Sequence, residues 1–289
     1  MKKFILAFFI IASAAFSGAK AQMPVRSIHV SGYNTVNVSS AIDVVFDNRY
    51  EDSIYVESCD ALIDKLEIEI KGTKVSIGYS KAGKGAIKSN RKSVVYMSAS
   101  ALTALSATGE SAIVSNQRLA GKNISIKLSG KSTLKADLVL SGNTDISTAG
   151  SAALFAHLDC KKTSINMSKT GRVTLNGNCK TLVLKTSGNC DFKNPGFVAD
   201  NSVNCTASGS GTIDVHCRGN VSVKASDACN INVHCPGVLK IAASGTSNVT
   251  YTEGAKVASL SIKDQATSRA VKESPAAAYT PAATLPIIR

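Results

Sequence analysis

The sequence predicts an all-β fold in which coils of about 20 residues stack into a parallel solenoid. Three observations predict it. A small residue followed by glycine recurs along the chain, the residues on both sides alternate between apolar and polar, and apolar residues recur at fixed distances from each glycine. The chain is 44% apolar and 18% charged, which excludes a disordered chain, a coiled coil and a protein with several membrane spans.

The recurring pair marks one turn in each coil. Asp227 replaces glycine at one of these turns, and aspartate tolerates a left-handed backbone better than most residues do. A single unit of this length cannot bury its own apolar face, whereas stacked units bury it continuously. The pairs are Thr108-Gly109, Ser129-Gly130, Ala149-Gly150, Thr170-Gly171, Ser187-Gly188, Ser208-Gly209, Ser226-Asp227 and Ser244-Gly245.

A large apolar residue stands four positions after each turn residue. We expect these side chains to point into the core, with Leu134, Leu154 and Leu175 lying one upon another. A β-sandwich of short antiparallel hairpins would explain the alternation and the turns but not the columns, so the solenoid is favoured. The column comprises Ile113, Leu134, Leu154, Leu175, Phe192, Ile213, Ile231 and Val249.

Residues 1–21 have the pattern of a signal peptide. Met1-Lys2-Lys3 forms a basic head, an apolar stretch follows from Phe4 to Phe16, and Ala19-Lys20-Ala21 matches a cleavage site. A retained membrane anchor is the alternative, but the stretch is short for a membrane span. The sequence therefore predicts export to the periplasm or the outer cell surface of a Gram-negative bacterium, with no transmembrane segment in the mature chain.

The mature chain is predicted to form one continuous domain followed by a tail. Residues 22–100 alternate less regularly, and we expect them to form N-terminal β coils and a cap over the open strand edge. Residues 101–262 carry the regular repeat. Residues 263–289 contain three prolines and many small residues, which predicts a flexible or strapping C-terminal tail.

The chain is basic, with a formal net charge of +13. A run without acidic residues between positions 80 and 93 predicts a loop that contacts anionic polysaccharide. A merely solvated hairpin loop is the alternative and is favoured, because charge runs usually lie on the surface. Nucleic acid is not expected as a partner, since no aromatic residues interleave with the charges. The loop carries Lys81, Lys84, Lys88, Arg91 and Lys92.

Two His-Cys pairs occupy matching positions in adjacent coils. Neighbouring strand residues point to opposite faces, so His216 and His234 should face outward where their cysteines face inward. His157 is expected in the same outward column as these two histidines, and Asp214 is expected beside this column. The patch of His216, His234 and Asp214 could hold a metal or a hydroxylated ligand. An incidental polar ladder is favoured over both, because one carboxylate and two histidines are a small set of ligands.

The inward cysteines have two interpretations. Cys217 and Cys235 lie on adjacent coils, where in-register strands permit a disulfide with Cα atoms roughly 4.4–6.8 Å apart. Buried thiols are favoured, because parallel register alone does not orient the Cβ atoms for a bridge. The chain has no C-x-x-C motif, so zinc-binding or thioredoxin-like chemistry is not expected.

Catalytic motifs are missing from the sequence. The chain contains no G-x-S-x-G, H-E-x-x-H, P-loop or dinucleotide fingerprint, so no cofactor and no catalytic residue is predicted. The outward acids fall at different positions of the repeat, whereas a glycosidase needs two carboxylates across one cleft. We therefore expect a non-enzymatic binding or structural module. A β-helix enzyme that degrades polysaccharide, resembling a lyase or a pectinase, is the alternative.

Several segments resemble one known family. Ser27-Ile28-His29-Val30-Ser31-Gly32 and the later alternations that end in Ser-Gly, such as Leu184–Gly188, are similar to the head GIN domain family of auto-transporter adhesins, found in envelope proteins of Bacteroides-like bacteria. The resemblance covers about residues 26–255. It implies a right-handed parallel β-helix-like fold, periplasmic or surface placement and an adhesive role. The partners expected of such a module are anionic polysaccharide or an envelope or host surface protein. The family brings no catalytic residues.

Overall fold

The computed structural model describes residues 25–80, 93–100 and 102–272. These residues form a β-solenoid of about nine turns with coils of ~19 residues, which confirms the predicted fold class. The predicted signal peptide and the predicted basic loop of Lys81, Lys84, Lys88, Arg91 and Lys92 lie outside the described residues.

The structure contains strands and two very short helices, a 3-10 turn at Asn48–Tyr50 and the helix α1 at Asp60–Ile63. The strands are β1 Val25–His29, β2 Thr35–Val38, β3 Ile42–Phe46, β4 Ser53–Glu57, β5 Leu66–Lys71, β6 Lys74–Tyr79, β7 Ser93–Met97, β8 Ala104–Ala107, β9 Ala112–Gly121, β10 Ile124–Leu128, β11 Thr133–Leu140, β12 Asn143–Thr148, β13 Ala153–Lys169, β14 Arg172–Gly188, β15 Asp191–Gly209, β16 Thr212–His216, β17 Asn220–Ala225, β18 Asn230–His234, β19 Val238–Ala243, β20 Asn248–Thr252, β21 Lys256–Ile262 and β22 Thr267–Val271.

Each regular coil contains two β segments. The first segment follows the turn residue, as β11 does, and the second precedes the next turn, as β12 does. In β13, β14 and β15 both segments belong to one long strand. First segments pair in parallel with first segments of neighbouring coils, and second with second, so the solenoid has two distinct outer faces.

Alternate side chains of these segments fill the core. Residues of β11 are alternately part-exposed and buried along its whole length. Leu134 lies in register with Leu154, and both side chains are completely buried. Stacking in this way removes apolar surface from water in every coil, which a single coil cannot do.

The predicted column is wrong by two residues in one coil. Val173, not Leu175, lies in register with Leu154, and Leu175 pairs with Ala156. The cause is the turn: Lys169, with a φ of 64°, takes the left-handed position that the sequence assigned to Gly171. A shift of two residues preserves the alternation, so Leu175 still points into the core.

Left-handed residues form a second ladder at the turns. Each lies against the backbone of the previous member, and an added Cβ at Gly130 would be 2.7 Å from the carbonyl oxygen of Gly109. Asp227, with a φ of 61°, substitutes for glycine and accepts a hydrogen bond of 3.0 Å from the Gly209 amide to its Oδ2. The ladder comprises Ser40, Gly109, Gly130, Gly150, Lys169, Gly188, Gly209, Asp227, Gly245 and Asp264.

The N-terminal end differs from the regular coils. Strands β2 and β3 pair in parallel with β8 and β9, so they form a first coil. Strand β1 is antiparallel to β4, β4 is antiparallel to β7, and β5 and β6 form an antiparallel pair. These antiparallel strands cover the end of the stack, where parallel edges would otherwise be open to pairing.

The paired strands extend past residue 262, which is the predicted end of the repeat. Strand β22 pairs in parallel with β20 over five residues, from Thr267 to Val271. Among the described residues no strand lies beyond β21 to cover its apolar side chains, and Leu260 is 53% exposed. Within the described ranges, no helix is long and apolar enough to cross a membrane.

Candidate functional site

A groove of about 510 Å³ lies on the outer face of the first segments near the C-terminal end. We call it the histidine groove. It contains the three predicted patch residues, and its lining side chains come from six strands, β14, β15, β16, β18, β20 and β22. Its lining residues are Thr174, Lys193, Asn194, Pro195, Asp214, His216, Asn232, His234, Thr250, Thr252, Val271 and Lys272.

A bulge in β15 borders this groove. Phe192 pairs with Ile213, and Ala199 bridges Cys217. Between these two pairings, β15 therefore contains three more residues than the facing segment from Ile213 to Cys217. The extra residues include Pro195, which cannot donate a backbone hydrogen bond to a ladder, and Gly196. The longer strand bends away from its neighbour, and the histidine groove lies beside the bend.

His216 and His234 lie on adjacent coils with their rings in edge-to-face contact. The two residues are in register, and their ring centroids are 4.2 Å apart at an interplanar angle of 65°. Burial lowers the pKa of His216 to about 4, helped by the neighbouring His234 and opposed by the Asp214 carboxylate. His216 is therefore neutral at physiological pH, so one ring nitrogen can donate and the other can accept a hydrogen bond.

Polar side chains beside the histidines form a hydrogen-bonded ladder. Asn232 Nδ2 donates to Asp214 Oδ1 at 2.6 Å, and Thr250 Oγ1 donates to Asn232 Oδ1 at 2.6 Å. The three residues lie on three successive coils and share one register column. The network fixes the orientation of the Asn232 amide, so the ladder is a preorganised polar surface.

Asn194 adds a buried amide to the groove. Its side chain is 4% exposed, and its Oδ1 accepts a 2.7 Å hydrogen bond from the Phe197 amide. Its Nδ2 has no partner among the described residues, although a buried amide donor usually has one. Asn194 is not among the residues that the sequence predicted for this site. The Asn194-Pro195-Gly196 triplet was an available signal, because such a triplet interrupts a strand pattern.

His157 does not belong to the histidine column, contrary to the prediction. It pairs with Asn176, which pairs with Gly196 inside the bulge, whereas Val198 lies beside His216. The prediction placed His157 by its distance from the turn residue of its coil. That distance gives the correct register with His216 only if β15 contains no insertion. His157 instead contacts Asp159, with 3.1 Å between Nε2 and Oδ2.

The chemistry of this groove favours a hydroxylated ligand over a metal. Among the described residues, no group of three or more His, Cys, Asp and Glu side chains is arranged to hold a metal ion. The Asp214 carboxylate is already hydrogen-bonded to Asn232. Amide, hydroxyl and neutral imidazole groups side by side can both donate to and accept from the hydroxyl groups of a sugar.

Cysteines that are buried or half-buried lie beneath this face. Cys160 lies in register with Cys179, and farther along the solenoid Ala199 bridges Cys217. All eight cysteines are free, so the disulfide considered for Cys217 and Cys235 is not formed in this structure. The Cys235 Sγ instead lies 3.0 Å from the Gly219 carbonyl oxygen, to which it donates.

Alkylation should distinguish the buried thiols from the others. Burial raises the pKa of Cys179 and of Cys205 to about 12, so neither forms the reactive thiolate in the native protein. At pH 8, iodoacetamide should modify the half-buried Cys59 in the folded chain and should modify Cys160 more slowly, because burial also raises the pKa of the Cys160 thiol. All eight cysteines should react after denaturation. Mass spectrometry reads both results, and a Cys217–Cys235 bridge would appear as two thiols that resist alkylation until they are reduced.

The His216 pKa predicts a loss of stability in acid. The folded-state pKa of about 4 lies below the ordinary histidine value of 6.5, so between these values the unfolded chain binds the proton more tightly. Stability should therefore be retained above pH 6.5 and fall as the pH decreases towards 4. Thermal melts across this range should show a smaller decrease for His216→Gln, and an imidazole that titrates near 6.5 by NMR would contradict the assignment.

The stacked coils, the ladder of turn residues and the polar outer groove define a parallel β-solenoid with a surface suited to binding. The family model described as "Putative auto-transporter adhesin, head GIN domain" matches residues 32–237. The chain therefore belongs to the head GIN domain family, and the resemblance inferred from the Ser-Gly alternations is confirmed.

Crystal structures of three proteins share this fold. A "putative adhesin" from Parabacteroides distasonis is 23% identical with a TM-score of 0.69, covering 80% of this chain and 98% of its own. A "putative adhesin" from Parabacteroides merdae is 17% identical with a TM-score of 0.60, covering 88% and 98%. A "putative lipid binding protein" from P. distasonis is 17% identical with a TM-score of 0.56, also covering 88% and 98%. No curated protein matches the chain.

Proposed function

We propose that this chain is an exported, non-enzymatic envelope protein that acts as an adhesin-like module and binds carbohydrate of the envelope or of a host surface. The polar ladder of Asp214, Asn232 and Thr250 beside the two contacting histidines is the observation that carries the proposal. It presents fixed donors and acceptors to solvent on successive coils, as recognition of a hydroxylated polymer requires.

The composition of the groove supports binding over hydrolysis. Asp214 is the one carboxylate among its described lining residues, and glycoside hydrolysis ordinarily uses two carboxyl groups on opposite sides of the scissile bond. Lys193 and Lys272 also line the groove, and their ammonium groups can contact acidic substituents of a sugar. These features serve retention of a polymer and leave no paired acid and base for its cleavage.

Placement in the envelope is supported by the sequence. The basic head, the apolar stretch and the Ala19-Lys20-Ala21 site favour export through a signal peptide. The description of the matching family as an auto-transporter adhesin agrees with that route. We propose the periplasm or the outer cell surface as the site of action, where the protein would meet polysaccharide or an envelope or host surface protein.

A glycan panel tests this function. The mature chain should bind a subset of immobilised neutral and acidic glycans, and the double variant Asn232→Ala, His234→Ala should lose the neutral ones. The control variant Asn204→Ala, Ser222→Ala removes similar polar groups from the other outer face and should bind the neutral glycans like wild type. Absence of binding to every glycan, or release of unsaturated or reducing ends from polygalacturonate, would overturn the proposal.

A further inference from the structure

Charge is distributed unequally between the two outer faces of the solenoid. The outward residues of the second segments, which we call the lysine face, include six lysines and one acid, Asp145. None of these lysines has an ion-pair partner among the described residues. The lysines of this face are Lys127, Lys162, Lys185, Lys224, Lys240 and Lys256.

The opposite face has a balanced charge. Its first segments carry five outward aspartates, and two of them pair with arginines of adjacent coils. The aspartates are Asp43, Asp137, Asp159, Asp191 and Asp214. Arg118 Nε lies 3.0 Å from Asp137 Oδ2, and Arg172 Nε lies 3.7 Å from Asp191 Oδ2. Local neutralisation therefore applies to one face only, and the excess positive charge of the described coils is concentrated on the lysine face.

The lysine face contains an elongated depression. Cavities of about 450 and 320 Å³ meet at Thr206, and together they follow the edge of the face beside the turn ladder. Small side chains that precede the turns, such as Ser187 and Ser226, keep this depression open. Lys127 and Lys185 line one part of it, and Lys224 lines the other.

These three lysines share one register column. The column runs across the stacked strands, with hydroxyl and amide side chains between the lysines. Since paired strands are about 4.8 Å apart, Lys185 lies roughly 10 Å from Lys224 and roughly 14 Å from Lys127 in backbone position. The column comprises Ser106, Lys127, Ser147, Asn166, Lys185, Thr206, Lys224, Ala242 and Ser261.

A linear polymer with spaced negative charges matches this arrangement. Carboxylate or sulfate groups would meet the lysines, while sugar hydroxyls would meet Ser147, Asn166 and Thr206 between them. Single-stranded nucleic acid matches less well, because the described outward residues of this face include no aromatic side chain on which a base could stack.

We propose that the lysine face is a binding site for an extended anionic polysaccharide, seated in the depression and contacted by Lys127, Lys185 and Lys224. The inference rests on the proposed function as a surface-binding module and gives that function a second site, separate from the histidine groove. The polymer lies along the long axis of the solenoid and crosses one strand after another. Its affinity comes mainly from charge, so it decreases as salt is added.

Charge reversal on one face at a time tests the site. The mature chain should bind polygalacturonate at low salt and should not bind neutral dextran. The variant Lys185→Glu, Lys224→Glu should bind polygalacturonate about tenfold more weakly. The control variant Lys135→Glu, Arg269→Glu changes the net charge equally on the opposite face and should bind like wild type. Circular dichroism and thermal melts confirm that both variants are folded.

Three outcomes would overturn this inference. Equal weakening by both variants would show that only net charge matters. Stronger binding to an oligonucleotide, or to vesicles of phosphatidylglycerol, than to polygalacturonate would assign the face to another partner. A wild-type chain that binds no glycan at all would refute both this inference and the proposed function.

Neutral glycans separate the two proposals. The variant Lys185→Glu, Lys224→Glu should lose polyanion binding and still bind neutral glycans, because the histidine groove is intact in it.

Discussion

Ile213→Asp is expected to destabilise the protein severely. The Ile213 side chain is completely buried and lies in register between Phe192 and Ile231 on the two adjacent coils. An unpaired carboxylate there would lose its hydration without gaining a partner, at a cost of about 4 kcal/mol or more. Thermal or urea denaturation should show a melting temperature lower by roughly 10 °C or more, or no cooperative transition.

Two controls isolate the effect of the buried charge. Ile213→Val keeps the site apolar and should cost only about 1 kcal/mol. Ser222→Asp places the same carboxylate on the outer surface of β17 and should change stability by about 0.5 kcal/mol or less. If Ile213→Asp melts like wild type, Ile213 does not lie in the core of a stacked solenoid.

Gly209→Ala should also produce a large loss of stability. Gly209 has a φ of 97°, and an added Cβ would lie 2.2 Å from the carbonyl oxygen of Gly188 in the preceding coil. That contact is with backbone, so relief requires the two coils to separate and lengthen their hydrogen bonds. We expect a cost of about 3 kcal/mol, measured by urea denaturation.

Gly32→Ala is the matched control for that substitution. Gly32 has a φ of 69°, and a Cβ added there would meet no atom within 4 Å beyond its own chain neighbours. It therefore carries the left-handed strain, about 1 kcal/mol, without the contact between coils. The difference between the two variants measures the steric requirement of the turn ladder, and equal losses would mean that close stacking of the turns is unimportant.

The sequence was sufficient to predict the solenoid because two signals reinforce each other. Alternation shows which residues point inward, and the recurring small-residue-glycine pair shows where each coil turns. An error of two residues leaves the alternation intact, so the misplaced turn at Lys169 changed the neighbour of Leu154 without exposing Leu175. Lys169 escaped notice because lysine rarely adopts a positive φ, and only the register of adjacent coils reveals that it does so here.

The candidate sites were less predictable, because they depend on which residues of different coils become neighbours. His216 and His234 were correctly matched, since equal coil lengths separate them from their turns. His157 was not, because the insertion in β15 shifts the register between its coil and theirs. The lysine face was not evident in the sequence for a similar reason: lysines and aspartates are interspersed along the chain, and the winding of the coils places most of them on opposite faces.

The parallel stacking also determines how the molecule responds to force. Hydrogen bonds between coils are evenly spaced and slanted, and they point from one coil to the next along the long axis. Tension applied between the two ends therefore loads these ladders in series and opens them at one coil boundary at a time, whereas a force directed along the strands loads many bonds together. A solenoid of this kind therefore resists unfolding best when the force acts along its strands, as it does when a ligand and an attachment point both lie on its outer faces and not at its ends.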